Sequence, residues 1–247
     1  MNIYSRIIPY ITLGYPDLET TQAFLELCYE LGIKRIEIGI PFSDPMADGP
    51  VIQEANDYAL ARGINFRSLE ALRIDTGKAD HYVMTYANLF YHYGPADTFQ
   101  WLTRLGYRGA IIPDLSFEQR DDFAAEVPED FALVPFIATT TDDGRVEAIT
   151  SRSAGFIYAV SSPNVTGQAV DNFSLIEAKI SLARQHTSTP IFIGFGIKDG
   201  QTAAKAMAIA DGAIIGTALI QCIQPDAGRE RNISALRQFL QGLQLAD

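Results

Sequence analysis

Cysteine is nearly missing from this sequence: 247 residues hold two, Cys28 and Cys222. They stand far apart and belong to no CxxC or Cys/His cluster. That pattern reads as core thiols in a reducing compartment, not as a disulfide framework or a zinc site. Histidine is almost as scarce. His81, His92 and His186 are scattered, without HxxxH spacing, so no metal ligand set is apparent. Basic residues are outnumbered, 19 Lys and Arg against 30 Asp and Glu, for a net charge of −11. This balance argues against a nucleic-acid binder, which shows a basic face, and disfavours an anionic membrane surface as partner. No apolar stretch approaches the ~20 residues that span a bilayer. The start, MNIYSRIIPYITLGYP, carries a short apolar run broken by Pro9 and Tyr10, unlike a secretory signal. A soluble cytoplasmic protein is expected. Linkers, charge blocks, low-complexity segments and close internal repeats are also lacking, so residues 1–247 read as a single domain.

What is present is alternation. Eight short apolar runs (IIPYITLG, KRIEIGI, YVMTYA, GAIIPD, ALVPFIA, GFIYAVS, PIFIGFG and GAIIGTAL) are separated by amphipathic segments. Asp17 opens the first helix, Phe24, Cys28 and Leu31 share its stripe, and Gly32 stops it. Ser116 and Gln119 have capping-box spacing. Ile233, Leu236, Leu240 and Leu243 mark a last helix. Eight βα units in this length predict a single (β/α)8 TIM barrel. The rival, a doubly wound sheet, usually carries a GxGxxG after its first strand, and none is here.

Barrel geometry makes Glu37 conspicuous. In the second run Ile36, Ile38 and Ile40 should face the helices, and Glu37 and Gly39 the lumen near the C-terminal mouth, where barrel active sites lie. The same parity puts Tyr10 and Thr12, Met84 and Tyr86, and Phe156 and Tyr158 inside. Gly39, without a side chain, should leave room beside the carboxylate. A carboxyl among apolar and aromatic groups has a raised pKa, suited to donating and accepting protons near neutrality. The structural alternative is an interior Glu paired with an Arg of another layer. Asp48 follows in a loop stiffened by Pro45 and Pro50. An Asp before Gly is also a common turn pair. Asp44 reads better as a turn or interface residue than as a catalytic one.

The second half is rich in glycine turns: NVTG (Asn164 to Gly167), GFG (Gly194 to Gly196) and IGTAL (Ile215 to Leu219). Barrels commonly hold phosphate between the last two βα loops and a short extra helix, with glycines letting backbone N–H groups approach the anion. Thr217 adds a hydroxyl. The alternative is tight strand-to-helix turns with no ligand. A Schiff-base lysine is not evident, since Lys34 lies at the wrong end of its strand and Lys198 near solvent. Carboxylate proton transfer on a phosphorylated substrate with a flat apolar end, with neither metal nor organic cofactor, is therefore expected.

PYITLGYPD, IEIGIPFSDPMADGPVIQ, YANLFYHYG, NVTG, GFGI and GAIIGTAL, in this order over nearly the whole chain, resemble the tryptophan synthase alpha subunit family. The resemblance implies retro-aldol cleavage of indole-3-glycerol phosphate to indole and glyceraldehyde 3-phosphate, in tryptophan biosynthesis. Glu37 matches the proton-shuttling glutamate and Asp48 the aspartate that bonds the indole N–H. Tyr10, Tyr86 and Tyr158 match indole-pocket positions, and Thr166 a loop threonine that helps position Asp48. Gly167, Gly196, Gly216 and Thr217 match phosphate contacts. The resemblance also implies a beta-subunit partner in an α2β2 assembly, facing segments that hold Asp44, Pro45 and Asn88. Pyridoxal phosphate belongs to that partner. A stand-alone indole-producing lyase, or a barrel that regulates the beta subunit without turning over, are the alternatives. Departures exist: only MNIYSR precedes the first run, where the family has a helix, and SSPNVTG lacks the family's arginine and glycine near Ser162 and Asn164. ATTTDDGRV lacks the proline usual there, and Ser116 stands where a proline is common.

Overall fold

The computed structural model of the chain describes residues 3–161, 172–194 and 196–243. Among them nine parallel strands form one sheet: β1 (Ile7–Thr12), β2 (Arg35–Gly39), β3 (Asp80–Met84), β4 (Gly109–Ile111), β5 (Ala132–Val134), β6 (Phe136–Ala138), β7 (Ile157–Val160), β8 (Ile191–Gly194) and β9 (Gly212–Ile215). Their order is β5-β4-β3-β2-β1-β9-β8-β7-β6. The two end strands are consecutive in the chain, joined only by Pro135. The nearly closed barrel therefore has its eight expected runs, with the fifth split in two. The reason is chemical: Pro135 has no N–H to give, and only its carbonyl joins the ladder, accepting from Tyr158 N at 2.9 Å. Its first half pairs with β4 and its second with β7.

The surrounding helices are α1 (Leu18–Leu31), α2 (Pro50–Leu60), α3 (Ala87–Tyr93), α4 (Pro95–Arg104), α5 (Arg120–Ala124), α6 (Asp143–Thr150), α7 (Asn172–Ala183), α8 (Gly200–Ile209), α9 (Thr217–Gln221) and α10 (Arg229–Gly242). Their ends follow local chemistry. The Asp17 side chain accepts from Thr20 N at 2.6 Å, and Gly32 ends α1 in the left-handed region at φ 78°. Asp199 and Thr202 form a capping box on α8. Ser116 and Gln119 exchange the two bonds their spacing anticipates, ahead of the short α5. Leu236 and Leu240 of α10 are buried, and that helix packs back onto α1.

Inside the barrel, rings lie over strand glycines. A side chain at Gly39 would run into Tyr10, one at Gly194 into Tyr158, one at Gly212 into Phe192 and one at Gly109 into Tyr82. Large and small residues thus alternate across neighbouring strands, which lets side chains fill the lumen without voids. On its floor Phe156 meets Tyr82 at 5.0 Å and Phe192 at 5.6 Å between ring centroids. Arg35 lies over Phe192, 5.3 Å from the ring centre.

Candidate active site at the barrel mouth

Glu37 is held by register. It pairs across the sheet with Tyr10 on β1 and Tyr82 on β3. Only 3% of it is exposed, and one carboxyl oxygen is buried with no hydrogen-bond partner. Arg35, on the same face two residues earlier, stacks on Phe192 and forms no ion pair with Glu37, so the paired-interior reading does not hold. Burial pushes the Glu37 pKa up to about 8, and the neighbouring Asp48 charge adds to the rise. Gly39 leaves no open space beside the carboxylate, contrary to the expectation from sequence. Its missing side chain seats the Tyr10 ring instead, whose hydroxyl is 3.1 Å from Thr12 Oγ1.

Asp48 sits in the loop between β2 and α2. Its N–H closes a turn onto the Pro45 carbonyl at 2.9 Å, so the turn role is real. Its side chain has a second life. Oδ2 accepts from the Tyr86 hydroxyl at 3.1 Å and from Asn56 Nδ2 at 3.4 Å. Burial raises its pKa to about 6, against the lowering effect of those two bonds. The Tyr86 hydroxyl also accepts from Ala47 N at 3.1 Å, and its ring stacks on Phe42 at 4.9 Å. One tyrosine thus ties the adjacent residues Ala47 and Asp48 of the DPMADG turn. Tyr158 is buried close enough to Glu37 and Asp48 that both charges raise its pKa, and Phe136 stacks on it at 5.0 Å.

Across the mouth, Gly216 follows β9, next to β1 in the sheet. Its carbonyl accepts from Leu219 N and Ile220 N, opening the short α9. A Cβ there would touch Tyr10 and Ile52 at 3.5 and 3.6 Å, so this turn borders the aromatic lumen directly. Gly196 is exposed at φ 76°, in the region where glycine is favoured. Thr217 and Lys198 are exposed. Thr166 and Gly167 lie outside the described residues, as do Ser162 and Asn164.

A carboxyl pair follows from β2, rings lie beside it, and glycine turns follow β8 and β9. The tryptophan synthase alpha chain family matches residues 3–246. The alpha chain of Thermotoga petrophila is 40% identical over 220 residues, covering 88% of this chain and 90% of that one. That of Campylobacter jejuni is 36% identical over 220 residues, 88% of each. This chain belongs to the tryptophan synthase alpha chain family. Solved structures agree in shape: tryptophan synthase subunit alpha from Campylobacter jejuni superposes with a TM-score of 0.84 at 31% identity over 96% of each chain. The Pyrococcus furiosus A-subunit gives 0.83 at 29% over 99% of each. As an alpha chain it serves tryptophan biosynthesis and is a lyase-family member.

Two findings refine the residues read from the alpha-chain motifs. Pro45, expected at a partner surface, is buried and shapes the loop; Asp44 and Asn88 are exposed. Asn56 was not singled out, although it is 2% exposed and grips Asp48. Its signal was available: it shares the inner stripe of α2 with Ile52, Ala55 and Ala59, a polar side chain at an apolar-periodic position.

Proposed function

We propose that this chain cleaves indole-3-glycerol phosphate to indole and glyceraldehyde 3-phosphate, with Glu37 as proton shuttle and Asp48 as the indole N–H acceptor. The observation that carries this reading is geometric: Glu37 is buried on the lumen face of β2, and Tyr86 and Asn56 hold the Asp48 carboxyl beside it, with burial raising Glu37 to about 8 and Asp48 to about 6. Near neutral pH this leaves Glu37 protonated and Asp48 mostly ionised, an acid and an anion side by side. Glu37 gives its proton to the ring carbon that bears the glycerol chain. The indole nitrogen then becomes iminium-like, its N–H more acidic, and the Asp48 carboxylate stabilises it. The glycerol hydroxyl next to the ring returns a proton to Glu37. As its C–O becomes a carbonyl, the C–C bond breaks and that electron pair restores the aromatic ring. Indole and the phosphorylated aldehyde leave, and Glu37 is again protonated.

Tyr10, Tyr86 and Tyr158 wall the flat heterocycle, while Gly196, Gly216, Thr217 and Gly167 hold the phosphate through backbone donors and one hydroxyl. Thr166 helps position Asp48. The chemistry needs no metal or organic cofactor in this chain. The expected partner is a beta subunit in an α2β2 assembly, carrying the pyridoxal phosphate and meeting the surface that holds Asp44 and Asn88, beside Met46, which is 80% exposed. Two free cysteines and, among the described residues, no helix long and apolar enough to cross a membrane fit a cytoplasmic enzyme.

The test is indole release from indole-3-glycerol phosphate by the purified chain, with beta subunit added and omitted. Turnover strongly stimulated by the partner supports the proposal. Full turnover alone marks a stand-alone lyase, and none in either arm marks a barrel that only regulates. Retained turnover in Glu37→Gln would refute the shuttle.

A further inference from the structure

A second cavity, outside the catalytic lumen, lies beside the run of residues 132–138, which passes from β4 to β7. It has a volume of about 200 Å³ and sits between the sheet and helices α5 and α6. The β4 register ends with Ile111 opposite Val134, and the bonds to β7 begin at the Pro135 carbonyl, which accepts from Tyr158 N at 2.9 Å. Val134, Pro135 and Phe136, where the run changes partner, all line this space.

Its lining is unusual for so acidic a chain. Arg120 and Arg145 both line it, and among the described residues no carboxylate does. Two nearby acids are paired: Glu118 accepts from Arg145 at 2.8 Å, and Asp121 pairs with Arg152. Arg120 forms no ion pair among the described residues. One of its terminal nitrogens donates to the Leu133 carbonyl, and the other is buried without any acceptor. Burial, with Arg152 nearby, lowers its pKa to about 10. A largely buried guanidinium with an unmet donor is costly unless an anion completes it. The hydroxyls of Ser116 and Thr141 also border the space. Each accepts a backbone N–H, from Gln119 and from Ala138, which leaves its own proton to donate. The remaining walls are apolar, including Ile112, Leu133 and Ile149. A dianion would be poorly solvated among them.

We propose that this wall cavity binds a small organic monoanion with an apolar body, of the branched-chain or aromatic carboxylate class. Its head meets Arg120, Arg145 and the two hydroxyls, and its body fills the space against Ile112, Leu133 and Ile149. A slight turn of the Arg120 guanidinium brings the unmet N–H to the carboxylate.

The experiment is isoleucine-methyl NMR on the full chain, titrated with 3-methylbutanoate and benzoate, with 3-methylbutanamide and inorganic phosphate as controls. Saturable shifts at Ile112 and Ile149 are expected with both acids and not with the controls. Arg120→Gln and Arg145→Gln should each weaken binding about tenfold. Arg120 also supports Leu133, so if its variant does not fold, the more exposed Arg145→Gln and the neutral amide decide. No shifts up to about 10 mM acid would overturn the proposal. So would an equal response to the amide or to phosphate, shifts confined to Ile52 at the catalytic mouth, or affinity unchanged in Arg145→Gln.

Discussion

The two sides of the barrel mouth are built by opposite means. On the β2 side, function rests on ionisable side chains, and the fold spends packing to tune them. One buried oxygen of Glu37 has no hydrogen-bond partner among the described residues, while Asp48 is held by Tyr86 and Asn56. On the β8–β9 side the proposed work falls to backbone at Gly196 and Gly216, and the nearby Lys198 is exposed. The difference has a physical basis. A proton must be gained and lost, so its carrier needs a pKa set by its surroundings. A phosphate stays anionic throughout and needs only fixed dipoles. Substitutions on the first side should therefore strike kcat, and on the second KM.

Glu37→Gln is the hardest test and should have the largest effect. It removes the shuttle without changing shape, and indole formation should fall about a thousandfold or more. Stability should move the other way. The Glu37 carboxyl is raised from 4.5 to about 8, so the wild-type fold loses stability as pH climbs between those values. The Gln variant lacks that loss, and its melting temperature should exceed the wild type at pH 8 and match it at pH 4.5. Equal melting curves at both pH values would mean that the lumen does not perturb Glu37.

Asp48→Asn should come next, with turnover down about a hundredfold. In the wild type, kcat/KM should rise as Asp48 ionises near pH 6 and fall as Glu37 ionises near pH 8. Removing the Asp48 charge takes away one of the two causes that raise Glu37, so the alkaline limb should shift to lower pH. An unmoved limb would separate the two carboxyls and break the picture of a coupled pair.

The same contrast explains what could be read without coordinates. Glu37 was legible because a strand has period two, and one carboxylate among Ile36, Ile38 and Ile40 has only one face to take. The positions of Gly216 and Gly196 just after β9 and β8 were legible from the strand-like runs that precede them; their proposed phosphate role rests on the family motif. What escaped was contact across elements. Nothing local says that Gly39 seats the Tyr10 ring or that the Tyr86 hydroxyl reaches Ala47 and Asp48, 39 and 38 residues away. The break at Pro135 was visible as a proline inside an apolar run. Its consequence, a run that pairs β4 with its first half and β7 with its second, depends on how the flanking strands share the ladder.

Tyr86→Phe sharpens the comparison from within the β2 side. The ring stack on Phe42 survives, but Asp48 loses a donor and Ala47 an acceptor. Activity should fall about tenfold. The lost bond is one that lowers the Asp48 pKa, so the acid limb of kcat/KM should move to higher pH. A rate loss with a fixed acid limb would assign Tyr86 to packing alone.

Gly216→Ala should have the smallest effect and discriminate most finely. Its φ of −113° suits alanine, and the new methyl would rest at ordinary contact distance from Tyr10 and Ile52. The fold should be untouched. Yet the methyl occupies the border between the ring pocket and the proposed phosphate turn, where only bare backbone lets an anion approach. KM should rise a few-fold with kcat nearly constant, the signature of lost binding shared by ground and transition states. If kcat fell instead, as it should in Tyr86→Phe, the glycine side would be adjusting the reacting ring rather than gripping the distant phosphate. The division of labour across the mouth would then be wrong.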